Sequence, residues 1–381
     1  LIDLLFLSEL FFKKKFNYLK NYFFYLLIFL WLILLLNLVT SIDIYNSFFR
    51  SIGFLRYIIF VFAINYFIFD QDKKILNRLL KIWSVLFLIV IFDLLFEFIS
   101  GKNILGFESY MHGRLSGFFN QELKIGYWYS SFFLIILSYF IYSLKKVKLF
   151  LSGKYYTIII YSLSLIFIFV LFLIGERANF LKSLIIFLIF IFAFQKEYFL
   201  KKLLIVFIIL TSLFLILKNV PEDSRFNNYQ NRFFSAFIIP ATSNPKKFIS
   251  DSKYFNHYRA GIKVFKNNYL FGVGLKNYRI EVTSGKYGKD TSIHPHEKHI
   301  EILSELGIFG YLGFLIFFIL VIKKSIKIYL IEKNLLQLSG LLFIIINLLP
   351  LFPSGSFFTT YSSSLFWLNF AFMIKGFKNY K

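Results

Sequence analysis

The run Tyr22–Val39, YFFYLLIFLWLILLLNLV, contains no charged residue and no polar stripe. A soluble helix of this length needs a polar face toward water, and this one has none to offer. A stretch of about 20 apolar residues is what a helix needs to cross the hydrocarbon of a bilayer. The run is therefore read as a membrane helix. Comparable blocks recur along the 381 residues, 58% of which are hydrophobic. They place spans near 21–39, 51–69, 80–99, 125–144, 155–174, 177–194, 200–217, 307–322, 335–352 and 357–374. The expected fold is an all-α integral membrane bundle of about 10 helices, 12 at most, with one large and partly helical external loop.

Charge then orients the bundle. Basic residues gather in alternate connections, at Lys13–Lys15, Lys73/Lys74/Arg78, Lys145/Lys146/Lys148, Lys196/Lys201/Lys202, Lys323/Lys324/Lys327 and Lys375/Lys378. The opposite short loops, TSIDIYNSFFR, GER and PLFPSGS, are nearly free of Lys and Arg. Cytoplasmic loops carry the Lys/Arg excess, so both termini are expected inside. The chain then divides into residues 1–217 with about seven spans, an external loop 218–306, and residues 307–381 with about three spans. The net charge of +23 is thereby assigned to topology rather than to nucleic-acid binding. The Phe, Ile, Lys and Asn richness fits a low-GC genome. The chain has no cysteine, so neither disulfides nor thiolate chemistry is available. It begins at Leu1 rather than Met, which leaves room for residues upstream, including a further helix.

Several polar residues are not explained by membrane insertion. Arg177, in LIGERANFLKS, falls between two spans joined by a very short turn. An arginine there needs a carboxylate, an anion or a wet cavity, with Glu176 the adjacent carboxylate, or it snorkels to the interface. Arg114, in HGRLSGFFNQELK, and Arg259, in HYRAGIKVF, lie in the two longer external segments. The guanidinium fork suits phosphate oxygens. In His257–Gly274, Ile262, Phe265 and Tyr269 recur at helical spacing ahead of a glycine-rich turn. That turn, FGVGLKNY, matches neither nucleotide-binding fingerprint.

Three of the five histidines, His294, His296 and His299, lie within six residues just ahead of a membrane span. From Glu297 onward the pattern is helical. Ile300, Leu303 and Leu306 are expected to face inward, with Glu297, Glu301 and Glu305 on a second stripe and His296 in the first turn. The cluster admits metal binding, a structural polar helix or general-base chemistry. Zinc would need three or four converging ligands, and HEKH lacks the four-residue histidine spacing of the zinc helix motif. An imidazole near its ordinary pKa would serve as a base that is lost below roughly pH 6.

Four stretches together resemble the O-antigen ligase and O-antigen polymerase superfamily of membrane glycosyltransferases. HEKHIEILSELGIFG follows its signature His-Asn-x-x-Leu-x-x-x-x-Glu-x-Gly-x-x-Gly at His296, Glu305, Gly307 and Gly310, with Glu297 in place of Asn. RLSGFFNQE (Arg114–Glu122), GERANFL and NNYLFGVGLKNY resemble further family segments in the same order. The resemblance implies a glycan donor on undecaprenyl diphosphate and an acceptor hydroxyl, such as lipid A–core, at the periplasmic face of the inner membrane. It implies that Arg177 and Arg259 contact the diphosphate and that His296 is the base, with Arg114 and His294 also toward substrate. The reaction is expected to invert the anomeric carbon without cofactor or metal. Polymerases and protein O-oligosaccharyltransferases share these motifs. A transporter or flippase of a lipid-linked anion is the alternative outside the family, and it predicts paired broken helices.

Overall fold

The computed structural model describes residues 1–120, 122–147, 153–193, 211, 225–250, 252–288 and 291–374. Among these the chain is helical, with no strand. Five helices are long and apolar enough to cross a membrane: Tyr22–Thr40, Ile44–Phe69, Lys73–Ser100, Ile125–Leu144 and Lys298–Glu332. Shorter apolar helices follow at Ile158–Leu173 and Leu335–Asn347. Helices Arg177–Ala193 and Thr360–Ile374 cover two more of the expected spans. The expected span 200–217 lies outside the described residues, Thr211 excepted. The protein is an all-α, multi-pass membrane protein.

Its outward surface has the polarity that lipid requires. Phe92 is 63% exposed and Ile319 60% exposed, each on a long apolar helix. Water would penalise such side chains, whereas hydrocarbon solvates them.

The chain forms two compact units. One comprises Leu1–Ile75, Ile249–Gln337 and Asn347–Lys381. Its core gathers around Trp367, fully buried against Phe54, Phe357, Phe366 and Phe370. The other comprises Leu76–Phe248 and Leu338–Ile346. There Phe87, Tyr129 and Phe167 meet ring to ring, and the Tyr129 hydroxyl donates to the Phe167 carbonyl at 3.0 Å.

In the first unit the helix Lys298–Glu332 is broken at Gly307, whose φ of 66° and ψ of −171° leave the helical region. The break frees backbone amides in an apolar setting, where each unsatisfied group is costly. The segment Tyr269–Gly274 supplies their partners. The amides of Ile308 and Phe309 donate to the carbonyls of Tyr269 and Leu270, at 2.8 and 3.3 Å. In return the amides of Val273 and Gly274 donate to the carbonyls of Ser304 and Glu305, at 3.0 and 2.9 Å. A Cβ on Gly307 would collide with the Leu270–Phe271 peptide, so only glycine fits. Asn37 donates from its amide to the Phe271 carbonyl at 2.7 Å, tying the first membrane helix to the same turn. Two motifs far apart in sequence thus form one backbone-to-backbone joint.

The helix Lys253–Asn267 docks on this joint through Ala260, Gly261 and Val264 rather than through Ile262 and Tyr269, which are 42% and 55% exposed. Small residues win because Gly261 lies directly against Ile300 and Pro295, leaving no room for a larger side chain.

Candidate active site

The second unit builds the surroundings of Arg114 and Arg177. Glu97, buried within the helix Lys73–Ser100, accepts from the amides of Ser116 and Gly117 at 3.0 and 2.8 Å. This locks the turn after Arg114. The Leu115 amide donates to the Ile174 carbonyl at 3.2 Å, which brings RLSGFFNQE onto GERANFL. The contact is intimate: a Cβ on Gly175 would overlap the Gly113 carbonyl oxygen, and its φ is 74°. Arg114 pairs with Glu176 at 2.7 Å, with side chains only 16% and 12% exposed. Glu176 is therefore engaged by Arg114 rather than by Arg177. The Arg177 guanidinium donates to the Arg232 carbonyl at 3.3 Å and lies 5.3 Å from the centre of the Phe237 ring. Arg232 itself donates to the Gly175 carbonyl at 2.9 Å. No sequence pattern pointed to Arg232, which approaches this turn only through the tertiary fold.

The first unit holds the histidines. The Glu297 carboxylate accepts from the Ile300 amide at 2.8 Å and caps the helix, which begins at Lys298. Asn at this position would cap in the same way, so the departure from the signature has a local explanation. His296 precedes the cap rather than sitting in the first turn, and its φ is +58°. The amide of Ser354 donates to its carbonyl at 2.8 Å, holding that uncommon conformation.

Each imidazole is placed differently. The His296 amide donates to His294 Nδ1 at 3.0 Å. A backbone amide can only donate, so neutral His294 carries its proton on Nε2. The Ser292 amide sets the same tautomer in His257, at 3.2 Å. The His296 ring lies 3.9 Å from that of His294 and 5.0 Å from that of His257, with its Nε2 3.1 Å from the Ser292 hydroxyl. His299 is fully engaged: Nε2–H donates to the Leu348 carbonyl at 2.6 Å and Nδ1 accepts from the Tyr311 hydroxyl at 3.0 Å. It anchors the helix. Among the described residues no three His, Asp or Glu converge as metal ligands.

Burial, reinforced by Lys276 and His257, pushes His294 down to about 4. Burial also pushes His296 down to about 4, helped by His294 and His257 and opposed by Glu301. Burial and Lys253 lower His257 as well. All three rings are neutral at pH 7. The expected loss of a basic imidazole near pH 6 is thereby moved to more acid conditions, because sequence spacing gives no measure of desolvation.

The glutamates after the histidines were assigned a stripe of their own by spacing, and that stripe is buried. Glu301 is 1% and Glu305 3% exposed. Glu301 accepts from the Phe357 amide at 2.7 Å and from the Ser356 hydroxyl, and lies 3.6 Å from the Lys276 ammonium. Lys276 also donates to Ser356. The backbone amides of Lys276 and Tyr278 lie toward the Glu305 carboxylate, whose Oε2 has no partner among the described residues. Beside these carboxylates opens a cleft of about 340 Å³ that His294, Ser356, Lys276, Arg50 and Arg279 also line. Arg259 lies elsewhere in this unit, exposed, with its guanidinium 5.9 Å from the Phe255 ring centre.

The arrangement is that of a multi-pass α-helical membrane protein. At the head of a broken membrane helix it presents half-buried neutral imidazoles, two buried carboxylates within the helix itself, and a basic cleft. Residues 162–315, less than half of the chain, match the family model described as O-antigen ligase. The match contains GERANFL, NNYLFGVGLKNY and HEKHIEILSELGIFG. No curated protein matches the chain significantly.

Proposed function

We propose that the protein is an O-antigen ligase-like glycosyltransferase. It moves a glycan from undecaprenyl diphosphate to an acceptor hydroxyl, of lipid A–core, on the periplasmic face of the inner membrane. The observation that supports this reading is the neutral, half-buried His296 beside His294 at the head of the broken helix, within the stretch that matches the family. His296 removes the proton of the acceptor hydroxyl. The hydroxyl oxygen attacks the anomeric carbon from the face opposite the diphosphate, and the carbon–oxygen bond to the diphosphate breaks with inversion. Arg177 and Arg259 stabilise the charge that develops on the leaving diphosphate. Arg114 acts through its pair with Glu176, fixing the turn that carries Arg177. No metal or cofactor enters the step. The matching topology has about ten spans, with residues 218–306 outside and both termini in the cytoplasm.

The test is reconstitution. The protein in a bilayer, given undecaprenyl-diphosphate-linked glycan and lipid A–core, is expected to release undecaprenyl diphosphate and glycosylate the acceptor with inverted configuration. Retention of configuration, or a requirement for an added divalent cation, would contradict the mechanism.

A further inference from the structure

The cleft between Lys276, Glu301 and Glu305 is not used by the chemistry above. Its rim carries Arg50 and Arg279, both exposed, and neither makes a hydrogen bond or ion pair among the described residues. The charge of Arg279 is the least of the causes that hold the Asp43 carboxyl below its usual range. Two unengaged guanidiniums at one mouth are arranged for an anion rather than for the fold. The floor differs. Glu305 Oε2 is buried and without a partner among the described residues, and an unpaired acceptor in such a place is costly unless something donates to it. His294 adds an Nε2–H donor, and Phe358 and Ile293 add an apolar wall. A ligand matching all of these has an anionic group, hydroxyl donors and a C–H face.

We propose that the Arg50–Arg279–Glu305 cleft binds a sugar carrying a phosphate or carboxylate, the anion at the two arginines and a ring hydroxyl on Glu305. This rests on the ligase reading in one respect: the anionic sugar then belongs to the acceptor, brought beside His294 and His296. It makes Arg50 and Arg279 specificity residues for an acidic acceptor, separate from Arg177 and Arg259.

The experiment measures binding of glucose 6-phosphate, glucuronate, glucose and inorganic phosphate to the full-length protein in lipid nanodiscs. Glucose 6-phosphate or glucuronate is expected to bind at least tenfold more tightly than glucose or inorganic phosphate. Which of the two binds better identifies the anion as phosphate or carboxylate. The exposed double variant Arg50→Ala/Arg279→Ala should weaken that binding at least tenfold, the loss expected for charge-assisted hydrogen bonds. Glu305→Gln should weaken the sugar anion and leave inorganic phosphate unchanged. Equal binding of inorganic phosphate and glucose 6-phosphate, or unchanged affinity in the double arginine variant, overturns the proposal. Either result would leave glycan transfer by the unaltered protein, and hence the ligase reading, intact. Arginine-dependent binding in a protein without transfer would instead remove the ligase reading and keep the cleft.

Discussion

Replacing Glu301 with glutamine perturbs one buried charge while preserving shape. Glu301 is 1% exposed and holds three donors: the Phe357 amide at 2.7 Å, the Ser356 hydroxyl and the Lys276 ammonium at 3.6 Å. A hydrogen bond to a charged acceptor contributes about 1.5–3 kcal/mol, and breaking a buried ion pair from one side costs roughly 3–5 kcal/mol. Two features reduce that loss. Glutamine keeps one acceptor oxygen, and the Lys276 side chain is 14% exposed, so water and Ser356 still reach it. A net destabilisation of about 2–3 kcal/mol follows. It can be read by denaturant titration of the detergent-solubilised protein, following fluorescence of the four tryptophans. Lys276→Met in the Glu301→Gln background removes the stranded ammonium and should recover part of the loss, giving a coupling of about 1 kcal/mol or more. Stability of Glu301→Gln within about 0.5 kcal/mol of the parent, a typical surface value, would refute this account of the pair.

Three other outcomes are expected. Folded His294 and His296 stay neutral down to about pH 4, whereas the unfolded imidazoles protonate near 6.5. The unfolded chain therefore binds more protons between these values. Stability should be complete above about pH 6.5 and fall as pH drops toward 4. Unfolding midpoints across that range check this, and His294→Gln should flatten the slope. Gly307→Ala forces alanine into φ 66° against the Leu270–Phe271 peptide and should cost about 1–3 kcal/mol or more. Gly53→Ala, in open space, should be neutral or stabilising in the same unfolding assay. Arg177→Ala should weaken binding of the lipid-diphosphate donor at least tenfold, and Arg177→Lys should restore only part of it, since lysine lacks the planar fork.

The membrane character of the fold was legible because it depends on local composition. Tyr22–Val39 needs no partner to declare itself, and helices appear at each other expected span within the described residues. The glycines of FGVGLKNY were legible as a turn, but not as the counterpart of Gly307. That pairing is a long-range backbone contact, and periodicity carries no long-range information. The same limit hid the burial of Glu301 and Glu305. Their i, i+4 spacing reads as a polar stripe, and only the docking of Lys276 and Ser356 turns the stripe inward. Spacing put His296 in the first helical turn, one turn from His299, but gave no partner for any of the three imidazoles. The fold separates them through the partners each meets: the Leu348 carbonyl engages His299, and the His296 amide, donating to Nδ1, fixes the tautomer of His294. Arg50 and Arg279 were invisible as a pair because nothing in sequence joins the second membrane helix to the segment after Lys276.

The central claim is that His296 acts as a base and not as a metal ligand. It is tested most directly by the rate of glycan transfer in His296→Ala and His294→Ala proteins, with and without a chelator. The account predicts that His296→Ala lowers turnover by about 10²–10⁴-fold with donor binding intact. It predicts a milder loss in His294→Ala and no effect of the chelator on the parent protein. Equal loss in both variants, with the parent silenced by chelator and revived by zinc, would contradict it.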